Sequence, residues 1–240
     1  MAEEGPVGPI GIWPLRIGFA AAGMFVLGPI AAYLGIMPPI GGFAFFVLGG
    51  VIGLFNSIVG VIALRRGAGK RAIAAIVLSE VPALLLIYLS TRGLGKPAIN
   101  DISTDLVEPP ILVRAQTQPG NTGRDLVYPE RFKEIVRQAY ADVKPLALKA
   151  SADEAYVRAI RLAKNRPGWT ITYDNPTSHV FEGYATSNLF RFQDDFVVRV
   201  RPQADGSVVD MRSKSRDGRG DLGANAARIR AFLRDLETGK

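Results

Sequence analysis

Apolar positions are unevenly distributed along this chain. Up to residue 96 they form three long runs, at about 17–37, 41–64 and 72–90. Each is long enough to span a bilayer core, which takes roughly 20 helical residues. From residue 129 the pattern shortens. Phe132, Ile135, Val136, Ala139, Tyr140 and Val143 recur three or four apart, which predicts an amphipathic helix over 129–143. A second helix opens at Ser151 with Glu154 three residues on, the spacing of a capping box. It buries Tyr156, Ala159, Ile160 and Ala163. Alternation of period two predicts four strands, at 169–173, 180–186, 196–201 and 207–213. Their short, turn-rich links favour an antiparallel meander, and the last hairpin sets Arg199 opposite Asp210. Leu222, Ala226, Ile229, Leu233 and Leu236 predict a closing helix over 222–237, with Asp221 as its N-cap.

The expected fold is α+β: a three-helix transmembrane region (1–96) followed by a soluble domain (129–240) with a four-stranded antiparallel sheet packed by helices. Between them, residues 97–128 are rich in Pro, Asp, Thr and Gly. They read as an extended linker on the surface, with Asn100, Asp101, Thr104 and Asp105 capping turns.

Charge refines this picture. The net charge of +7 points to nucleic acid only until it is mapped. Residues 1–96 carry ten charges, whereas 97–240 carry 22 Lys/Arg against 19 Asp/Glu, an ordinary mixed surface. Nucleic acid is therefore not an expected partner. Arg65, Arg66, Lys70 and Arg71 crowd the link between the second and third spans, while the first link has no charge. The positive-inside rule puts the basic link and Arg16 in the cytoplasm, with Arg92 and Lys96 opposite. The expected location is the inner membrane, multi-pass, N-terminus cytoplasmic and C-terminal domain periplasmic. The first span lacks the basic start and cleavage site of a signal peptide.

Within the spans, Gly49 and Gly53 form a GxxxG pair that lets the second helix approach a neighbour. Asn56 and Glu80 lie at matching depth and are expected to hydrogen-bond across the hairpin. Such a pair serves either as polar glue or as part of a proton or ligand pathway.

The densest chemistry lies at 212–219, read as a basic loop. Arg212, Ser213, Lys214, Ser215, Arg216 and Arg219 precede a glycine-punctuated turn and a helix start, where Asn225 and Arg228 lie on the flank. Guanidinium forks beside a helix N-terminus suit phosphate, a lipid headgroup or a partner's carboxylate. The alternative is internal pairing, with Asp194, Asp195, Asp210 and Asp217 as acidic partners and Arg199 paired to Asp210. An envelope hydrolase would need His179, the sole histidine, with Ser213 or Ser215 and Asp210; no nucleophile-elbow spacing supports it. No cysteine is present, and neither a cofactor motif nor metal-ligand spacing is recognisable.

Four stretches carry a resemblance: PAINDISTD from Pro97, the GW ending at Trp169, FRFQDDFVVRV from Phe190, and VVDMRSKSRDGRGDLGANAARIRAF from Val208. Over residues 97–236 the chain resembles a bacterial and plastid family known as domain of unknown function 1499. The resemblance implies an envelope location behind N-terminal membrane spans and supplies no reaction. The expected function is a membrane-anchored binding or scaffolding protein that meets membrane lipids and an anionic envelope ligand or partner through the basic loop. The alternative is an accessory or stabilising subunit of a larger membrane complex.

Overall fold

In the computed structural model, which describes residues 11–239 apart from the Arg92 side chain, the chain forms two compact units. Residues 1–10 and the Arg92 side chain, whose charge enters the orientation expected from the sequence, lie outside the described residues. One unit runs up to Leu94 and takes in Leu189–Arg191; the other holds the rest.

The first unit is a bundle of α1 (Ile12–Tyr33), α2 (Pro39–Arg65) and α3 (Gly69–Gly93), each long and apolar enough to cross a membrane. The first helix starts earlier than the hydropathy run because Pro14 fits a first turn, where its missing N–H would have no partner. Glycines on α2 bring the helices together. A β-carbon on Gly49 would stand 2.6 Å from the Ala21 carbonyl oxygen of α1, and one on Gly53 2.6 Å from the Ser79 carbonyl oxygen of α3. The expected GxxxG pair is thus divided between two neighbours. Four residues advance a helix about 40° beyond a full turn, enough to move Gly53 from one seam to the other. Gly42 repeats the approach to α1, and Gly60 the approach to α3.

The expected Asn56–Glu80 bond does not form. Asn56, 3% exposed, donates to the Pro14 carbonyl at 2.8 Å and to the Ser79 hydroxyl at 2.9 Å, tying all three helices together. Glu80 follows Ser79, about 100° further round α3. The close approach of Gly53 turns Ser79 inward, so Glu80 points away from Asn56.

The second unit has a six-stranded antiparallel sheet rather than four strands. Its long strands are β3 (Trp169–Asn175), β4 (Val180–Thr186), β5 (Gln193–Gln203) and β6 (Gly206–Ser215). Two three-residue strands, β1 (Asp101–Ser103) and β2 (Leu146–Leu148), share the outer edge of β6, giving the order β1-β6-β5-β4-β3 with β2 also on β6. Both are too short to show alternation in sequence.

One face of the sheet is apolar. Phe181, Phe196, Val198, Met211 and Ile102 pack against α4 (Glu130–Ala139), α5 (Ala152–Asn165) and α6 (Ala224–Thr238). Ser151 and Glu154 close the expected capping box on α5, and Trp169 lies 4.3 Å from Phe196 and 5.5 Å from Phe232, ring centre to ring centre. The opposite face is charged and is covered by residues 104–128, which form a strap with two short 3-10 turns. The expected linker is therefore an integral layer of the domain: Asp101, Ile102 and Ser103 are fully buried.

Packing at the α1–α2 seam leaves no room for a side chain. Gly49→Leu should cost about 1–3 kcal/mol, as overpacking does. Thermal melting of the detergent-purified protein checks this, with Phe55→Leu on the exposed side as the unchanged control.

Candidate functional site

Strand alternation decides where the basic run goes. β6 extends to Ser215, so four of the residues read as loop are strand, with side chains on alternate faces. Asp210, Arg212 and Lys214 face the strap. Met211, Ser213 and Ser215 face the helices. A run of Arg-Ser-Lys-Ser hides this period, since both sets are polar.

On the strap side, Arg212 is 1% exposed. Its Nε and Nη2 donate to the two carboxylate oxygens of Asp101 at 2.9 and 2.8 Å. The same guanidinium donates to the carbonyls of Pro110 (3.1 Å) and Leu126 (2.7 Å) in the strap. Lys214 donates to Asp101 at 3.0 Å. Arg216 forks onto Asp195, with its guanidinium 4.8 Å from the Tyr184 ring centre. Asp195 also accepts from Asn121 of the strap at 2.8 Å. In the next row, Arg199 and Arg201 are each shared between Asp210 and Asp105 at 2.9–3.2 Å.

Glu182 stands apart from these pairs. It is 1% exposed and accepts three backbone N–H groups of the strap, from Val113, Arg114 and Ala115, at 2.9–3.0 Å. Burial raises its pKa above the ordinary glutamate value, and the three donors offset that only in part. Burial likewise raises Asp210, despite its two arginines, and Asp217.

On the helix side, Arg228 of α6 pairs with Asp194 and donates to Ser213 at 2.8 Å. Asn225, fully buried, accepts from Ser213 at 2.7 Å and donates to Ser215 at 2.9 Å. Asp221 is not the N-cap residue, because α6 starts at Ala224 behind a left-handed Gly223. Its carboxylate nonetheless accepts from the N–H groups of Gly223 and Asn225, both at 2.8 Å.

Of the eight anion-site candidates, Arg212, Ser213, Lys214, Ser215, Arg216, Asn225 and Arg228 are thus engaged within the domain. Arg219 is exposed and makes no hydrogen bond or ion pair among the described residues. The hydrolase triad is not assembled. Asp210 and Ser213 point to opposite faces of β6, and His179 bonds Asp153 at 2.7 Å. Sequence reading missed Asp101, Asp105 and Glu182 as members of the charged layer. A signal existed for Glu182, the lone charge in the apolar run of β4.

Residues 101–236 match the family model described as Protein of unknown function (DUF1499). No match is found among curated proteins.

Removing one member of a buried ion pair strands the other. Arg212→Ala should destabilise the protein by about 3–5 kcal/mol, whereas Arg219→Ala should stay within about 0.5 kcal/mol; denaturant unfolding separates the two. The raised carboxylates also set the pH response. The folded state holds the protons of Glu182, Asp210 and Asp217 more tightly than the unfolded chain does. That stabilisation is present below the raised values and lost as pH rises through them. Asp142 and Asp174, lowered by bonds from Arg230 and Lys164, contribute stability that is lost as pH falls. The melting temperature should therefore peak on the acidic side of neutrality, and Glu182→Gln should flatten its decline toward neutral pH.

Proposed function

The chain belongs to this family of unknown function, and we propose that it is a membrane-anchored binding or scaffolding protein that holds anionic headgroups or an anionic partner through Arg219 and Lys96. The observation that carries this reading is the accounting of charge. Arg212, Lys214, Arg216 and Arg228 each meet a carboxylate inside the domain. Arg219 and Lys96 are exposed and form no salt bridge among the described residues.

Both belong to one loop neighbourhood. The stem of Lys96 lies against Gly223, its Cδ 3.5 Å from where a β-carbon would stand, and Gly220 lies against Ala98. Lys96 also follows α3 by three residues in sequence. A cation so close to the end of a membrane helix meets the headgroup region, where each contributes about 1 kcal/mol toward anionic lipid. The basic link at Arg65, Arg66, Lys70 and Arg71 supports a cytoplasmic N-terminus, an inner-membrane location and a periplasmic domain. A second reading, an accessory subunit of a larger membrane complex, draws support from Glu80.

Native mass spectrometry of the full chain, extracted gently from membranes containing phosphatidylglycerol, tests the first reading. The wild type should retain that lipid, and Lys96→Glu/Arg219→Glu should lose it by roughly thirtyfold or more, as removal of two interfacial cations at about 1 kcal/mol each implies. Identical lipid retention in both would remove the proposal.

A further inference from the structure

The outer face of α3 carries a seam that its own bundle leaves open. Ile73, Val77, Leu84 and Ile87 are 47–58% exposed. With Glu80 among them, the spacing runs four, three, four, three, the repeat that keeps one helix face against a partner helix. Glu80 occupies the middle of this seam and makes no hydrogen bond or ion pair among the described residues. Its neighbour Ser79 is fully buried and bonded to Asn56. The Asn56 amide nitrogen and the Ser79 hydroxyl are thus paired inside the bundle, whereas the part-buried Glu80 borders an apolar face where lipid offers it no partner.

We propose that this seam is the interface of a homodimer, in which the two Glu80 carboxyls hydrogen-bond to each other across the two-fold axis. Topology argues for a second copy. Copies inserted in the same orientation can be related only by an axis along the membrane normal. Their α3 helices then run parallel, and identical residues meet at identical depth. Among the described residues, the other polar groups near this depth on the helices that flank Glu80 are engaged elsewhere or lie on α1, where Arg16 is exposed beside Trp13 and off the α3 seam. Asn56, Ser57 and Ser79 are buried in the bundle. Lys70 and Arg71, the cations on α3 before Glu80, lie at least about 14 Å from its depth at 1.5 Å per residue. A single polar position within an apolar seam also fixes helix register. Pro82 does not interrupt it, since its ring packs toward Gly53 on the inner side. The inference rests on α3 crossing a bilayer and is independent of Lys96 and Arg219.

Cysteine scanning tests it, since the chain has no cysteine of its own. In native membranes oxidised with copper phenanthroline, full-length Val77→Cys and Leu84→Cys should form disulfide-linked dimers at several times the yield of Val81→Cys, Phe19→Cys or Phe55→Cys. The three controls are 56–64% exposed but off the seam. Adding Glu80→Leu to Leu84→Cys should cut the linked fraction roughly threefold or more, as loss of an interhelical hydrogen bond implies. Glu80→Gln should retain it, because paired amides replace paired carboxyls. Equal linking at all five positions, no linking at 77 and 84, or a yield indifferent to Glu80→Leu would overturn the proposal. So would a linked product that mass spectrometry assigns to a different protein. The Lys96→Glu/Arg219→Glu comparison leaves α3 untouched, so lost lipid binding with intact linking would sink only the earlier reading.

Discussion

The Asp101–Arg212 pair is the contact on which the domain's second face depends. Taking a carboxylate and a guanidinium out of water costs several kcal/mol each, and their attraction offsets that only when the remaining donors and acceptors are also satisfied. Here they are. Arg212 uses two bonds on Asp101 and spends others on the carbonyls of Pro110 and Leu126. Those carbonyls belong to a strap with little ladder of its own, and buried backbone groups need partners. The sheet's charged side chains supply them. Glu182 performs the converse service, accepting three strap N–H groups. Irregular backbone and charged sheet face each satisfy what the other lacks.

This mutual dependence explains which parts of the fold were readable in the sequence. The long strands and the α5 capping box follow from local period and local chemistry, so Ser151, Glu154 and the Arg199–Asp210 register were legible. The strap was not. Its proline and glycine content signals the lack of regular structure, and nothing local says that the irregular stretch is buried. β1 presents Asp-Ile-Ser, with a charge where a core strand ordinarily has an apolar residue. Its burial makes sense only with Arg212, 111 positions away. The basic run misled for a related reason: four cations close in sequence look like one exposed surface, whereas the pleat turns Arg212 and Lys214 onto the buried strap face and Ser213 and Ser215 toward the helices.

The membrane unit follows the same rule in a different solvent. Asn56 is placed where all three helices can use it, and the α2 glycines allow the backbone approach that makes this possible. Depth matching suggested Glu80 as its partner, but depth fixes height along a helix and not rotation about it. A one-residue offset is about 100° of rotation, which separates a core position from a lipid-facing one.

Both units therefore direct attention to the groups left unmatched after internal accounting. A fold that compensates Arg212, Lys214, Arg216 and Arg228 so fully has no free charge there to offer a ligand; stripping a partner from any of them would leave an uncompensated carboxylate behind. Arg219 and Lys96 carry no such cost, since water already solvates them and an anion would only replace water. Glu80 is the opposite case, because hydrocarbon cannot solvate it and a partner removes a standing penalty. Exchange for water gives weak, reversible contacts, and relief in lipid gives a persistent one. On this reasoning the proposed α3 seam would be the durable interface of the molecule, and the proposed Lys96–Arg219 surface its adjustable one.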